Sequence, residues 1–195
     1  FSKIGILLDT QGPEIRTGDT SEIVNLEHGQ LVSFNIRDEV DVETTSIRVH
    51  YDELIKSVDV GTLISLDNGL LNFKVINKSK NQIECQVLDG GKLSSKRHVN
   101  LPGIRINLPS VTEKDKKYIA FGLKENVDFI ALSFVRDASD IDDLKKVLKT
   151  QSKKVKIISK IEDREGLSNI EDICMVSDAV MVARGDLGIE TDLSN

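Results

Sequence analysis

The chain has 195 residues, of which 39% are hydrophobic and 30% are charged, and its formal net charge is -6. This composition is typical of a soluble globular protein with a sizeable core, and it excludes a disordered or fibrous chain. The acidic balance argues against a nucleic-acid-binding or membrane-binding surface, because such partners attract clustered positive charge.

Two cysteines, Cys85 and Cys174, lie far apart in different predicted elements. The sequence therefore predicts free thiols and a reducing compartment, the cytoplasm. No apolar run approaches the ~20 residues of a membrane span, and no leader sequence is apparent. Because the chain begins at Phe1 rather than at a methionine, we expect a fragment or a processed product.

The first predicted element is a strand over residues 4–8, an unbroken apolar run that ends before Gly12 and Pro13. Continuous apolarity is typical of a strand covered on both faces, as in a parallel sheet. Polar groups, Asp9 and Thr10 among them, follow at the carboxyl end of this strand.

Residues 17–106 have a different pattern, in which short alternating segments are separated by turn residues. Two of the turns, at 67–69 (Asp-Asn-Gly) and 89–91 (Asp-Gly-Gly), are predicted to close hairpins, because Asn and Gly accept positive φ. A helical turn is predicted over 51–57. This block is predicted to be a small, mostly antiparallel β-barrel or sandwich. Its predicted strands cover residues 22–26, 31–36, 46–50, 62–66, 71–76, 82–88 and 92–99.

Strand and helix then alternate to the end of the chain. A helix capped by Ser110 or Thr112 extends to about residue 126, and strands are predicted over 128–135, 155–161 and 179–183, with helices over 138–149 and 166–175. The strands begin roughly 25 residues apart, which leaves room for one helix in each right-handed crossover and predicts parallel pairing. The predicted fold class is α/β: a partial (β/α)8 TIM barrel, over residues 1–16 and 107–195, with a small all-β barrel inserted as a lid over 17–106.

Each strand of this repeat ends in polar residues. Lys160 and Glu162 are two apart and therefore face the same way, and Gly185 and Asp186 follow Arg184 at the end of the next strand. Two carboxylates there can converge on one divalent cation, or they can be satisfied by Lys160 and Arg184. The spacing alone leaves both interpretations open.

Six motifs occur in order along the chain: 8–18 (Leu-Asp-Thr-Gln-Gly-Pro-Glu-Ile-Arg-Thr-Gly), 67–70 (Asp-Asn-Gly-Leu), 99–103 (Val-Asn-Leu-Pro-Gly), 133–136 (Ser-Phe-Val-Arg), 158–162 (Ile-Ser-Lys-Ile-Glu) and 181–188 (Met-Val-Ala-Arg-Gly-Asp-Leu-Gly). Together these motifs resemble the pyruvate kinase family. The resemblance covers nearly the whole chain and implies the third to sixth strands of that enzyme's catalytic barrel, with its mobile β domain inserted after the third strand. It implies a cytoplasmic, homotetrameric parent that transfers a phosphoryl group from phosphoenolpyruvate to ADP, giving pyruvate and ATP in the last step of glycolysis, while the isolated fragment is expected to be inactive.

The resemblance also implies roles for the polar residues. Glu162 and Asp186 would be ligands of Mg²⁺ or Mn²⁺, and Lys160 would bind substrate and stabilise the transition state. Gly185 and the backbone amide of Asp186 would face the substrate carboxylate, since glycine permits close backbone approach.

A second cation site is implied at the first strand, where Asp9 and Thr10 would bind K⁺ through hard oxygen donors. Glu14 matches the form of the family that requires K⁺. Gln11 replaces the lysine usually found at its position, which makes the local charge less positive.

Phosphate contacts are implied for Arg16 and, at a position where the family has a lysine, for Arg97. His98 replaces the usual glycine. With His28 and His50 it shows no metal-ligand spacing, and none of the three is assigned a catalytic role.

Two alternatives remain open at this point. A Mg²⁺-dependent enolate lyase or aldolase on a related barrel would use similar groups, and the chain can also be a non-catalytic truncation or binding fragment. Ser133 and Arg136 either line the site or are explained by packing and a salt bridge.

Overall fold

The computed structural model describes residues 4–36, 45–149 and 154–191. Its contacts divide the chain into two compact units, the first formed by Phe1–Pro13 with Asn107–Asn195 and the second by Glu14–Ile106. The described ranges contain no helix with the length and apolarity that a membrane crossing requires.

Strands dominate the second unit, whereas strands and helices alternate in the first. In chain order the elements are β1 (Leu7–Asp9), β2 (Val24–Leu26), β3 (Leu31–Asn35), β4 (Thr45–Arg48), α1 (Leu54–Ser57), β5 (Leu63–Leu66), β6 (Leu71–Lys78), β7 (Gln82–Asp89), β8 (Gly91–Leu93), β9 (Val99–Asn100), α2 (Glu113–Lys124), β10 (Phe129–Leu132), α3 (Ala138–Leu148), β11 (Lys156–Ile161), α4 (Arg164–Ser168), α5 (Ile170–Val176), β12 (Ala179–Val182) and α6 (Arg184–Glu190).

The first unit contains a four-stranded sheet in the order β1-β10-β11-β12, and every pair in it is parallel. Residues Ile130, Ala131 and Leu132 of the central strand β10 are completely buried. Four parallel strands joined through helices correspond to half of an eight-stranded barrel. The predicted fold class, a partial (β/α)8 barrel with a small β domain, is confirmed.

Helix α2 begins after Thr112, which is one of the two cap residues that the sequence predicted. Thr112 is the N-cap, and its hydroxyl and the Asp115 carboxylate form a capping box. The single helix predicted over 166–175 is wrong, because α4 and α5 are separated at Asn169. The Asn169 side chain donates to Arg136 O (2.9 Å), and its backbone (φ -102°, ψ 17°) departs from helical values at this point.

The second unit contains a six-stranded sheet in the order β4-β3-β7-β6-β5-β9 and a two-stranded sheet of β2 and β8. All of its strand pairs are antiparallel except β3 with β4. Alternate residues of β6 and β7 are buried. The core includes Phe34 and Phe73, whose rings meet edge to face at a centroid distance of 5.1 Å.

The two glycine turns of this unit differ. The predicted hairpin at Asp67–Gly69 forms between β5 and β6, with φ of 56° at Asn68 and 86° at Gly69, as a type I′ turn requires. The hairpin predicted at 89–91 is wrong, because β8 pairs with β2 instead of β7. Gly90 makes a corner, where a Cβ atom would lie 2.4 Å from Leu26 O.

The predicted strand over 92–99 is interrupted. It divides into β8 and β9, and Lys96 between them has a left-handed φ of 58°. The carboxyl part of this segment pairs with different neighbours from the amino part, so one continuous strand is impossible.

Candidate active site

The carboxyl ends of three neighbouring strands bring three polar residues around the ammonium group of Lys160. Lys160 Nζ lies 3.1 Å from Asp9 Oδ1, 3.1 Å from Glu162 Oε1 and 2.9 Å from Ser133 Oγ. Only 14% of the Lys160 side chain is exposed. Because β1, β10 and β11 are parallel neighbours, residues that end these strands meet at one edge of the sheet. The site is therefore built by topology rather than by proximity in sequence.

Glu162 is held on both carboxylate oxygens. Its Oε1 accepts the Lys160 contact, and its Oε2 accepts a hydrogen bond from the Phe134 backbone N–H (2.6 Å). Phe134 has a left-handed φ of 53°, which turns the loop after β10 toward Glu162. Gly12 packs against this loop, since a Cβ atom there would lie 3.0 Å from side-chain atoms of Ser133 and Phe134.

Burial and charge compete at the pair formed by Lys160 and Glu162. Burial disfavours the charged form of Lys160, but the carboxylates of Glu162 and Asp9 more than offset it and hold the pKa of Lys160 above its usual range. Burial also raises the pKa of Glu162, although Lys160 and the Phe134 N–H act against that increase. A further positive charge beside Glu162 would favour its ionised form.

Asp186 lies in the first turn of α6, which directly follows β12. Its negative charge is close enough to Glu162 to contribute to the raised pKa of that residue. Gly185 precedes it, and apart from its two chain neighbours and the backbone of its own helix no described atom lies within 4 Å of the position that a Gly185 Cβ would occupy. The fold therefore gives no packing reason for glycine at 185.

The residues after β1 present several oxygen atoms. Asp9 is half-exposed, whereas Thr10 is buried and accepts from Ser133 through both its hydroxyl (3.0 Å, from N–H) and its carbonyl (2.7 Å, from the Ser133 hydroxyl). Ser133 thus connects Thr10 with Lys160. These are hard oxygen donors of the kind that K⁺ and Mg²⁺ bind.

Residues 4–36, 45–149 and 154–191 contain no group of three or more His, Cys, Asp or Glu side chains with a metal-binding arrangement. A Mg²⁺ ion needs fewer protein ligands than this, since it keeps several positions for water and substrate oxygens. The neighbouring carboxylates of Glu162 and Asp186 fit that requirement by their chemistry.

The sequence did not single out Lys114. Asp115 of α2 accepts from the N–H groups of Gln11 (3.0 Å) and Gly12 (3.5 Å), which joins the loop after β1 to the start of the helix. The Lys114 ammonium donates to Gln11 Oε1. A positive charge therefore lies beside Gln11, where the resemblance implies a lysine, and only the folded chain could reveal this contact.

Of the two residues whose roles the sequence left undecided, Ser133 contacts Lys160, whereas Arg136 pairs with Asp140. The Arg136 guanidinium forms a buried ion pair with Asp140 (3.0 Å), and its backbone N–H donates to the same carboxylate.

Arg16 and Arg97 lie in the second unit. Arg16 pairs with Glu14 (2.6 Å) and donates to Lys96 O (2.8 Å), and 43% of its side chain is exposed. Arg97 donates to Ser94 Oγ (2.6 Å) and contacts Asp67 (3.3 Å). Both guanidinium groups are thus oriented by neighbours while remaining partly accessible.

Comparison with known proteins gives a consistent result. The family model described as "Pyruvate kinase, barrel domain" matches residues 1–195. A pyruvate kinase of Staphylococcus epidermidis is 48% identical over 192 residues, and one of Staphylococcus aureus is 47% identical. Each match covers 96% of the chain and 32% of the relative, so the chain spans about a third of the length of these relatives.

Proposed function

The chain belongs to the pyruvate kinase family, and on that basis we propose that it carries the phosphoenolpyruvate-binding and metal-binding part of an enzyme that transfers a phosphoryl group to ADP. The products are pyruvate and ATP. The observation that carries the proposal is the position of Lys160 Nζ between Asp9, Ser133 and Glu162 at the carboxyl edge of the parallel sheet.

The proposed activity belongs to a polypeptide of the relatives' length that contains these 195 residues. Four strands provide half of the eight that surround a complete barrel site. We therefore expect the 195-residue chain alone to bind ligands more weakly and to show no turnover.

Lys160 is the proposed catalytic residue. Its ammonium is fixed by three oxygen-bearing neighbours and remains charged, so it can neutralise negative charge on the transferring phosphoryl group and on the enolate oxygen. Charge that is already oriented before reaction requires little reorganisation and contributes about 3 kcal/mol or more to transition-state stabilisation.

Glu162 and Asp186 would hold Mg²⁺ or Mn²⁺, and Asp9 and Thr10 would hold K⁺. When bound, the divalent ion supplies positive charge to the carboxylate and enol oxygens of the substrate. The protein orients Glu162 through the Phe134 N–H.

Gly185 and the backbone amide of Asp186 are proposed to receive the substrate carboxylate. The open space at the Gly185 Cβ position supports this role, because the glycine is not required by neighbouring protein atoms. Arg16 and Arg97 are proposed to contact nucleotide phosphates, which suit the planar guanidinium group.

The test compares two lysines of the same strand, in the longer enzyme. Lys160→Met should lower kcat for phosphoryl transfer by about 10²-fold or more, since it removes preorganised charge. Lys156→Met is the control, because Lys156 also lies on β11 but is 63% exposed and pairs with Asp178. Equal turnover in the wild type and in Lys160→Met would refute the assignment.

A further inference from the structure

Three segments of the second unit run side by side around Arg16. An isolated bridge pairs Arg16 with His98, and another pairs Thr17 with Val49. The His50 N–H donates to Arg16 O (3.0 Å), which places His50 opposite Arg16 on the side away from His98. Arg16 therefore lies between two histidines that are 48 residues apart in sequence.

Directly opposed residues of antiparallel segments leave the backbone on the same face, and sequence neighbours leave on the other. His50 is exposed, and Arg16 and His98 are partly exposed. On the opposite face Ile15, Thr17, Val49 and Val99 are buried, and Arg97 is partly exposed. The three side chains thus form one accessible row, which we call the basic row (His50, Arg16 and His98).

The guanidinium at the centre of the basic row has a fixed orientation. Its Nε and Nη2 atoms contact Glu14 Oε2 (2.8 and 2.6 Å), and its Nη1 atom donates to Lys96 O (2.8 Å). Other charged residues lie near the two histidines. Arg48 and Asp52 lie two residues before and after His50. Lys96 lies two residues before His98, and Asp67 lies across from His98, to whose carbonyl oxygen its N–H donates.

We propose that the basic row is a polyphosphate-binding surface, in which His50 and His98 contact phosphate oxygens on either side of Arg16 and strengthen binding as they gain protons. The inference rests on the proposed phosphate-binding role of Arg16 and extends it to two residues for which no role follows from the motifs. A protonated imidazole adds an N–H donor and a positive charge, and histidine is the side chain that changes charge in the physiological pH range.

The test uses diadenosine tetraphosphate, because all of its phosphates are esterified and its charge stays constant between about pH 6 and about pH 8, where histidine titrates. Calorimetric titration of the 195-residue chain should show tighter binding at the lower pH. An exposed charge contact contributes up to ~1 kcal/mol, so each imidazolium should improve affinity about 2- to 5-fold. His50→Gln/His98→Gln should abolish this pH dependence.

Two control variants separate the basic row from a general charge effect. His28→Gln should behave as the wild type, because His28 lies in the same unit with its Nδ1 atom 2.6 Å from Leu88 O and outside the row. His98→Lys should bind more tightly than the wild type at the higher pH and keep only the pH dependence that His50 contributes, since the lysine charge is permanent in this range.

The outcomes also distinguish this inference from the proposed function. If the double variant keeps the pH dependence while Arg16→Gln still weakens binding, the basic row is refuted and the role of Arg16 stands. If neither the double variant nor Arg16→Gln changes binding, both are refuted.

Discussion

The two units differ in what they bury. Among the described residues, every buried charged side chain lies in the first unit, whereas the buried polar side chains of the second unit are Thr17, Ser33, Asn35, Ser65 and Asn100, all of them uncharged. The buried charged residues of the first unit are Asp115, Arg136, Asp140, Glu162 and Glu190. A buried charge is tolerated only with partners, so the first unit adds buried ion pairs and hydrogen bonds to the apolar packing that both units contain.

The parallel sheet also has a less covered periphery. Its central strand β10 is buried, but on the outer strands the exposed fractions are 40% for Leu7 and 59% for Val182. Apolar burial in the first unit is therefore concentrated around β10, directly beneath the site. We therefore expect the two units to be sensitive to different substitutions. The second unit should respond most to loss of buried side-chain volume, and the first to loss of the partner of a buried charge.

Loss of volume should have its largest effect at Phe73. Phe73→Ala removes a completely buried ring and its edge-to-face contact with Phe34, and we expect the free energy of unfolding to fall by about 3–5 kcal/mol. Urea denaturation followed by circular dichroism measures the change. Phe121→Ala is the control, because Phe121 is 62% exposed and its truncation should stay within about 0.5 kcal/mol. Similar losses in both variants would contradict the apolar-core argument.

Loss of a partner should have its largest structural effect at Asp140. Asp140→Asn leaves the Arg136 charge buried without its carboxylate and should reduce the free energy of unfolding by about 3 kcal/mol. Asp143→Asn on the same helix breaks only the exposed pair with Lys146, which contributes less than ~1 kcal/mol. Thermal unfolding of the two variants compares them directly. Equal shifts in Tm would show that burial of the pair does not matter.

Much of the fold was predictable because local chemistry and tertiary structure agree. Alternation of apolar residues located most strands of the second unit, and the two candidate caps, Ser110 and Thr112, located the start of α2, where Thr112 is the N-cap. The hairpin at 89–91 was mispredicted because Gly90 permits a close contact with Leu26 O rather than a tight reversal. The helix predicted over 166–175 was divided by the Asn169 side chain, whose partner Arg136 is remote in sequence.

For the candidate site, the sequence predicted which strand ends carry the polar residues but not the contacts that orient them. Alternation placed Lys160 and Glu162 on one face, and the structure brings them within 3.1 Å. The Phe134 N–H that orients Glu162 comes from a backbone with positive φ, which no glycine signalled. Likewise, the pairing of Arg16 with His98 depends on strand register, which a period-two pattern cannot supply.

Two glycines, Gly90 in the second unit and Gly185 in the first, extend the comparison of the units to their backbones. Gly90→Ala places a methyl group 2.4 Å from Leu26 O, a backbone clash that should cost about 1–3 kcal/mol of stability. Gly185→Ala meets no described atom beyond its chain neighbours and its own helix backbone, so its unfolding free energy should change by less than about 0.5 kcal/mol. In the longer enzyme, however, we expect it to raise KM for phosphoenolpyruvate. A destabilised Gly185→Ala would indicate that the glycine serves the fold and not the ligand.

The smallest expected effect on the protein concerns the two cysteines. Their labelling reports whether the core of the second unit is open or closed to a reagent. Cys85 on β7 is buried, whereas Cys174 on α5 is exposed. Burial, with a smaller contribution from Glu84, raises the pKa of the Cys85 thiol from 9.0 to about 12. Its contribution to stability is therefore present below pH 9.0 and is lost between pH 9.0 and about 12, because the unfolded chain ionises first.

Iodoacetamide at a pH below 9.0 should modify only Cys174 in the native protein and both cysteines in urea, since the thiolate is the reactive form. Mass spectrometry of tryptic peptides identifies the labelled residue. Phe73→Ala should increase labelling of Cys85, because the two residues belong to paired strands of one core, and should leave labelling of Cys174 unchanged. If labelling of both thiols rose together, the core of the second unit would not open independently of the first.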